Sequence, residues 1–130
     1  MKRATMAMTV FAGVMAAGTA WVGAEESYVR SPLQKSDYPP GHESHLMFVT
    51  NQPGAVLPRH THPGVEMSYV IEGELTVSIE GMPDTVVKAG SSFTVPPNVV
   101  HMARNTASTQ TKVIATFVIE KGKPVALAAP

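Results

Sequence analysis

The stretch Gly54–Gly73, GAVLPRHTHPGVEMSYVIEG, places His60, His62 and Glu66 close together in the chain. Residues two apart on an extended strand point to the same face, so His60 and His62 would present two imidazoles side by side. Pro63-Gly64 breaks the strand and turns it, which brings a carboxylate back beside them. A helix is a poor frame, because Pro53, Gly54, Pro58, Pro63 and Gly64 would interrupt it repeatedly. Two imidazoles and a carboxylate at this spacing form part of a transition-metal site. Taken alone, the same pattern also describes ordinary hydrogen-bonded histidines near a Glu, so a second stretch must decide.

That stretch is Gly90–Asn105, GSSFTVPPNVVHMARN, and it adds His101. Together the two resemble the paired signature of the cupin superfamily. The first motif of that family is Gly, five residues, His-x-His, three or four residues, Glu, six residues, Gly; Gly54, His60, His62, Glu66 and Gly73 fit it. The second is Gly, five residues, Pro-x-Gly, two residues, His, three residues, Asn. Gly90, Pro96, His101 and Asn105 fit, and Asn98 stands where the family usually has Gly. Asn is among the few non-glycine residues that tolerate a left-handed turn.

The resemblance implies an all-β fold, a double-stranded β-helix or jelly-roll barrel, with the metal between two facing sheets near one mouth. It implies His60, His62, Glu66 and His101 as ligands of one divalent transition metal, Gly54, Gly73 and Gly90 as turn residues, and Pro96 as shaping the approach to His101. Glu66 is also a candidate general base, should its bond to the metal loosen as is thought to happen in cupin oxygenases. Each ligating His should pass its other ring nitrogen to an outer acceptor, which the sequence does not name.

Three neutral imidazoles and one carboxylate mix nitrogen and oxygen donors without sulfur. The set suits Mn, Fe, Co, Ni, Zn or Cu, does not choose among them, and disfavours Ca and Mg. Four protein ligands in an open barrel leave positions for water, O₂ or a chelating substrate, as a catalytic metal needs, with a closed structural zinc as the lesser alternative. Three functions share these ligands: a dioxygenase-like enzyme acting on a small organic molecule, a non-redox metal lyase or isomerase, and a ligand- or metal-binding sensor without catalysis. Few other ionisable groups share the ligand-facing parity, which favours an apolar or aromatic substrate over a sugar. Ser68 and Val70 share the parity of Glu66, and Ala103 that of His101. Phe48, Phe93, Met102 and Phe117 are apolar candidates for the cavity, with ordinary core as the competing reading. Arg59 and Arg104 fall on the opposite face and read as outer-shell or interface residues, with anion binding the lesser option.

The frame that must position these residues is one domain, which is what 130 residues allow. Ten basic and ten acidic residues give zero formal charge with no charge blocks, so nucleic acid is not an expected partner. The absence of Cys removes disulfides and thiolate ligands. Lys2 and Arg3 precede an uncharged run from Ala4 to Ala24 that ends in small residues, the layout of a secretory signal peptide over residues 1–24. An uncleaved anchor is the alternative. Cleavage would place the protein in the periplasm or outside the cell, free of the membrane.

Residues 25–44 hold Pro32, Pro39, Pro40 and Gly41 and no sustained apolar period. They read as an N-terminal arm, with at most a short strand near Tyr28-Val29, that packs on a neighbouring subunit of a homodimer through Tyr28 and Leu33. His42 and His45 read as surface or hydrogen-bonded residues rather than ligands. The cupin domain spans 45–120, with strands expected at 46–50, 56–62, 66–71, 74–80, 85–88, 91–95, 99–103 and 112–120. The tail 121–130 reads as mostly irregular and covering an edge.

Overall fold

Residues 27–130 are described by a computed structural model; the leader expected over residues 1–24 lies outside them. Period-2 alternation, broken by Gly, Pro and Asn, folds this part into ten strands. They are β1 (Tyr28–Ser36), β2 (His42–Asn51), β3 (Val56–Thr61), β4 (Gly64–Glu72), β5 (Glu74–Ile79), β6 (Thr85–Lys88), β7 (Ser92–Val95), β8 (His101–Arg104), β9 (Thr111–Glu120) and β10 (Leu127–Ala128). Among the described residues, no helix is long and apolar enough to cross a membrane.

The strands form two antiparallel five-stranded sheets, ordered β1-β2-β9-β4-β7 and β10-β3-β8-β5-β6. Each turns one face inward, as a jelly roll requires. β9 shows why: Val113, Ala115, Phe117 and Ile119 are buried while the residues between them are not. From the second sheet Leu57, Leu75, Val77, Val87 and Ala103 meet them in one core. On β4, Glu66, Ser68 and Val70 point in, and Met67, Tyr69 and Ile71 point out. Asn98 takes the left-handed turn with φ 61°, and its N–H donates to the His62 carbonyl at 2.9 Å. Gly64 is required by space: a Cβ there would lie 1.9 Å from the Val118 carbonyl oxygen of β9.

Two sequence expectations change. Residues 28–36 are not an irregular strap. They form a nine-residue edge strand paired along β2, with a register shift between Pro32 and Gln34 where the proline interrupts the ladder. On β3, alternation alone puts Val56 and Pro58 on the His60 face. The pairing instead slips between Leu57↔Ala103 and His60↔His101. This bulge reverses the parity, so Leu57 packs inward with His60, and Val56 is 42% exposed. In the tail, read as mostly irregular, β10 pairs on the β3 edge through Leu127↔Thr61 and Ala128↔His60.

Candidate metal centre

β3 delivers His60 and, one residue past its end, His62; β8 opens with His101. The β3–β8 pairing sets His60 beside His101, with ring centroids 4.2 Å apart. The His62 ring lies 4.8 Å from His60 and 4.9 Å from His101, and packs on Phe117 at 4.7 Å. All three histidines are buried, and their donor atoms lie within 4.8 Å of one another.

The outer acceptors are backbone carbonyls. His60 Nδ1 donates to Pro58 O at 2.6 Å, His62 Nδ1 to Val125 O at 2.5 Å, and His101 Nδ1 to Val99 O at 3.0 Å. A carbonyl oxygen can only accept, so each Nδ1 carries a proton and leaves Nε2 as the ring's other nitrogen, the one available to a metal. Burial drives His60 down to about 4, against the pull of Pro58 O, and the neighbouring His101, His62 and Arg30 add to the fall. It is therefore neutral at physiological pH.

β4 brings Glu66 to the same point from the other sheet. Its Oε2 lies 3.0 Å from His62 Nε2 and 3.1 Å from His101 Nε2, while Oε1 accepts from Ser68 Oγ at 2.7 Å. Burial pushes this carboxyl up, but His101, His62 and Ser68 together outweigh it and hold it below its ordinary value.

The residues fit a metal ion. His62 Nε2 is buried and has no hydrogen bond, despite its approach to Glu66. His101 Nε2 faces the same oxygen although its ring proton is committed to Val99 O. With Nδ1 tied to a carbonyl, each of these Nε2 atoms meets the Glu66 oxygen either by carrying a second ring proton or by sharing a cation with it, and a divalent ion can take the place of those protons. Glu66 Oε2 lies about as near both nitrogens as donors sharing one ion would.

A cavity of about 40 Å³ adjoins the cluster, lined by His60, Glu66, His101 and Ser68 and walled by Leu57, Leu75, Val77, Val113 and Ala115. Of the aromatic candidates, Phe93 and Phe117 line it. Phe48 and Met102 do not, since each alternates onto the other face from an inward neighbour, Val49 or His101. Ala103 lines the cavity as its parity indicated; Val70 is core beside it. Arg59 and Arg104 lie outside, bonded to Glu80 and Asp84. His42 bonds to Pro40 O and His45 to Glu43, away from the cluster. Two lining residues had no sequence signal, Arg30 on β1 and Asn51 at the end of β2. Asn105 is structural: its Nδ2 donates to Asn51 O and Thr109 O, and its Oδ1 accepts from Ala107 N.

Residues 47–119 match the family profile described as the cupin domain. Germin-like protein 3-5 of Oryza sativa subsp. japonica is 36% identical over 73 residues, 50% of this chain and 32% of that protein. The chain thus spans about a third of the length of such curated relatives. An oxalate oxidase in complex with the substrate analogue glycolate superposes with a TM-score of 0.65 at 26% identity, covering 80% of this chain and 56% of that one. An uncharacterised double-stranded β-helix protein from Klebsiella pneumoniae matches at a TM-score of 0.64 and 23% identity, covering 83% of this chain and 96% of that one. With the profile matched over most of the barrel and the signature residues gathered between its two sheets, the chain belongs to the cupin family.

Proposed function

We propose that the protein is a metal-dependent enzyme acting on a small organic molecule, of the dioxygenase type, with His60, His62, Glu66 and His101 holding one divalent transition metal. One observation carries this reading: three buried imidazoles, each tied through Nδ1 to a carbonyl, gather their donor atoms within 4.8 Å of one another beside a cavity. When bound there, Fe, Mn, Ni, Cu or Zn supplies Lewis acidity and open positions for O₂ or a chelating substrate. The chain's own residues supply the rest. The aliphatic walls exclude water, and Ser68 fixes the Glu66 carboxylate by holding Oε1. Glu66, ionised at neutral pH, is the candidate base, taking a substrate proton at Oε2.

The size of the cavity refines the substrate. About 40 Å³ is room for about three water-sized groups, too little for an aromatic ring. The glycolate bound by the oxalate oxidase neighbour is on this smaller scale. We also infer export after removal of residues 1–24, and a homodimer in which the outer face of β1 packs on the neighbouring subunit; Tyr28, expected in that contact, packs on its own core instead. Val29 and Leu33, exposed at 51% and 48% on β1, support the second point.

The test is O₂ uptake by the metal-loaded protein against a panel of small organic acids, alcohols and aldehydes. Turnover with O₂ consumption is expected. Turnover without O₂ would move the protein to lyase or isomerase chemistry. Tight ligand binding with no turnover would make it a sensor.

A further inference from the structure

Two polar residues on the cavity wall take no part in the metal cluster. Arg30 projects from β1, where its register partner is Val49 of β2; Asn51 pairs with Tyr28 one step along the same two strands. Both line the cavity. Every other lining residue except Phe93 is buried, while Arg30 and Phe93 are partly exposed. Arg30 on β1 and Phe93 on β7, at opposite edges of one sheet, are thus the lining residues that also reach solvent.

Arg30 makes no ion pair with any described carboxylate, and its Cζ lies 5.7 Å from the centroid of the Tyr28 ring. Most other positions with a cation near this barrel differ. Lys35, Arg59, Arg104, Lys112, Lys121 and Lys123 are each matched to an acid; among the described residues only Lys88, which does not line the cavity, shares the lack of an ion pair with Arg30. Asn51 is 1% exposed, and neither its Nδ2 nor its Oδ1 has a hydrogen-bond partner. A buried amide left unpaired on both atoms is costly, about 1–3 kcal/mol for each group. Its backbone is held in place by Asn105, which donates to Asn51 O at 3.0 Å. An unpaired, partly exposed guanidinium and an unpaired, buried amide on the same cavity wall are two groups free to bind a ligand.

We propose that Arg30 and Asn51 form an anion-selecting subsite, and that the molecule this cavity takes is a small organic acid whose carboxylate pairs with Arg30. The guanidinium fork matches a carboxylate with two parallel N–H···O bonds, which a neutral isostere cannot reproduce. Its partly exposed charge also raises the local concentration of anions over neutral molecules. Asn51 offers one donor and one acceptor, suited to a carboxylate oxygen or a hydroxyl. The inference rests on the reading of the site as a metal enzyme on a small molecule and narrows its substrate to the acid class. The apolar walls would otherwise have favoured a neutral one.

The experiment titrates glycolate, oxalate and the neutral isostere glycolamide into the purified full-length protein by calorimetry, with metal content measured on the same samples. Arg30→Met keeps the aliphatic stem and removes the charge; Arg30→Lys restores charge without the fork. Glycolate or oxalate should bind the parent protein at least ten times more tightly than glycolamide. Arg30→Met should remove that preference with metal content unchanged, and Arg30→Lys should recover part of it. Arg30→Met binding both acids within twofold of the parent would overturn the proposal, as would a parent protein that binds neither acid. A metal-free parent protein would instead contradict the metal-enzyme reading. In that case the same titration still reports whether acid binding follows Arg30.

Discussion

Ser68 illustrates what single side chains do around this centre. It does not face the histidines, yet its hydroxyl bonds Glu66 Oε1 at 2.7 Å and leaves Oε2 as the oxygen directed at His62 and His101. Outer partners of this kind are typically worth about 10–100-fold in metal affinity. Ser68→Ala should weaken metal binding within that range while the thermal midpoint of the metal-free protein changes little; a chelator competition titration measures it, and an unchanged affinity would remove Ser68 from the account. Protons act on the same residues. His60 is driven to about 4 from an ordinary 6.5. Between those values the unfolded chain binds a proton that the folded chain refuses, so stability is complete above about pH 6.5 and falls as the pH drops toward 4. One such group gives a slope of at most about 1.4 kcal/mol per pH unit. Glu66 is also depressed, so its contribution is present above its ordinary 4.5 and is lost below it. Urea midpoints of the metal-free protein should decline continuously on acidification from pH 6.5. A midpoint that rises between pH 6.5 and 4.5 would contradict the neutral, buried His60.

At the scale of elements, the least regular parts of the chain hold the ligands in place. β3 carries a bulge between Leu57 and His60 that reorients His60 and packs Leu57 beneath it. The tail adds a second constraint. β10 pairs with Thr61 and His60, Ala129 N donates to Arg59 O at 3.0 Å, and Val125 O accepts from His62 Nδ1. Removing residues 124–130 takes away that acceptor and frees the β3 edge, while His101 keeps its bond to Val99 O. The truncated protein should remain folded by far-ultraviolet circular dichroism and bind metal at least tenfold more weakly. Equal affinity in the truncated protein would show that the tail only covers the edge. Behind Glu66, Gly64 brings β4 against β9 more closely than any side chain would permit.

For the whole molecule, what the sequence made legible was local. Alternation on β4, β5 and β9 needed no knowledge of partners, and neither did the turn at Asn98 or the pairing of His60 with His62. These features share one physical basis, a period of two broken by residues with special backbone preferences. The rest depended on contacts between distant parts of the chain. The outer acceptors of the histidines are backbone carbonyls, which every residue possesses, so no side chain marks Pro58, Val99 or Val125. Arg30 was hidden because β1 is an edge strand with a proline in it and mostly exposed residues beyond Arg30. Only its ladder with β2 turns Tyr28 and Arg30 inward. Asn51 ends its strand in a run, Asn51-Gln52-Pro53-Gly54, that reads as turn, and its burial follows from the closure of both sheets around it.

The account stands on three imidazoles and one carboxylate converging on a single ion, and elemental analysis of the natively purified protein tests that most directly. The parent protein should carry close to one equivalent of a divalent transition metal, and His60→Ala and His101→Ala should each carry almost none while keeping the β-rich circular dichroism of the parent. Metal content that is unchanged by either substitution, or a parent protein that neither carries nor takes up a divalent transition ion, would contradict it.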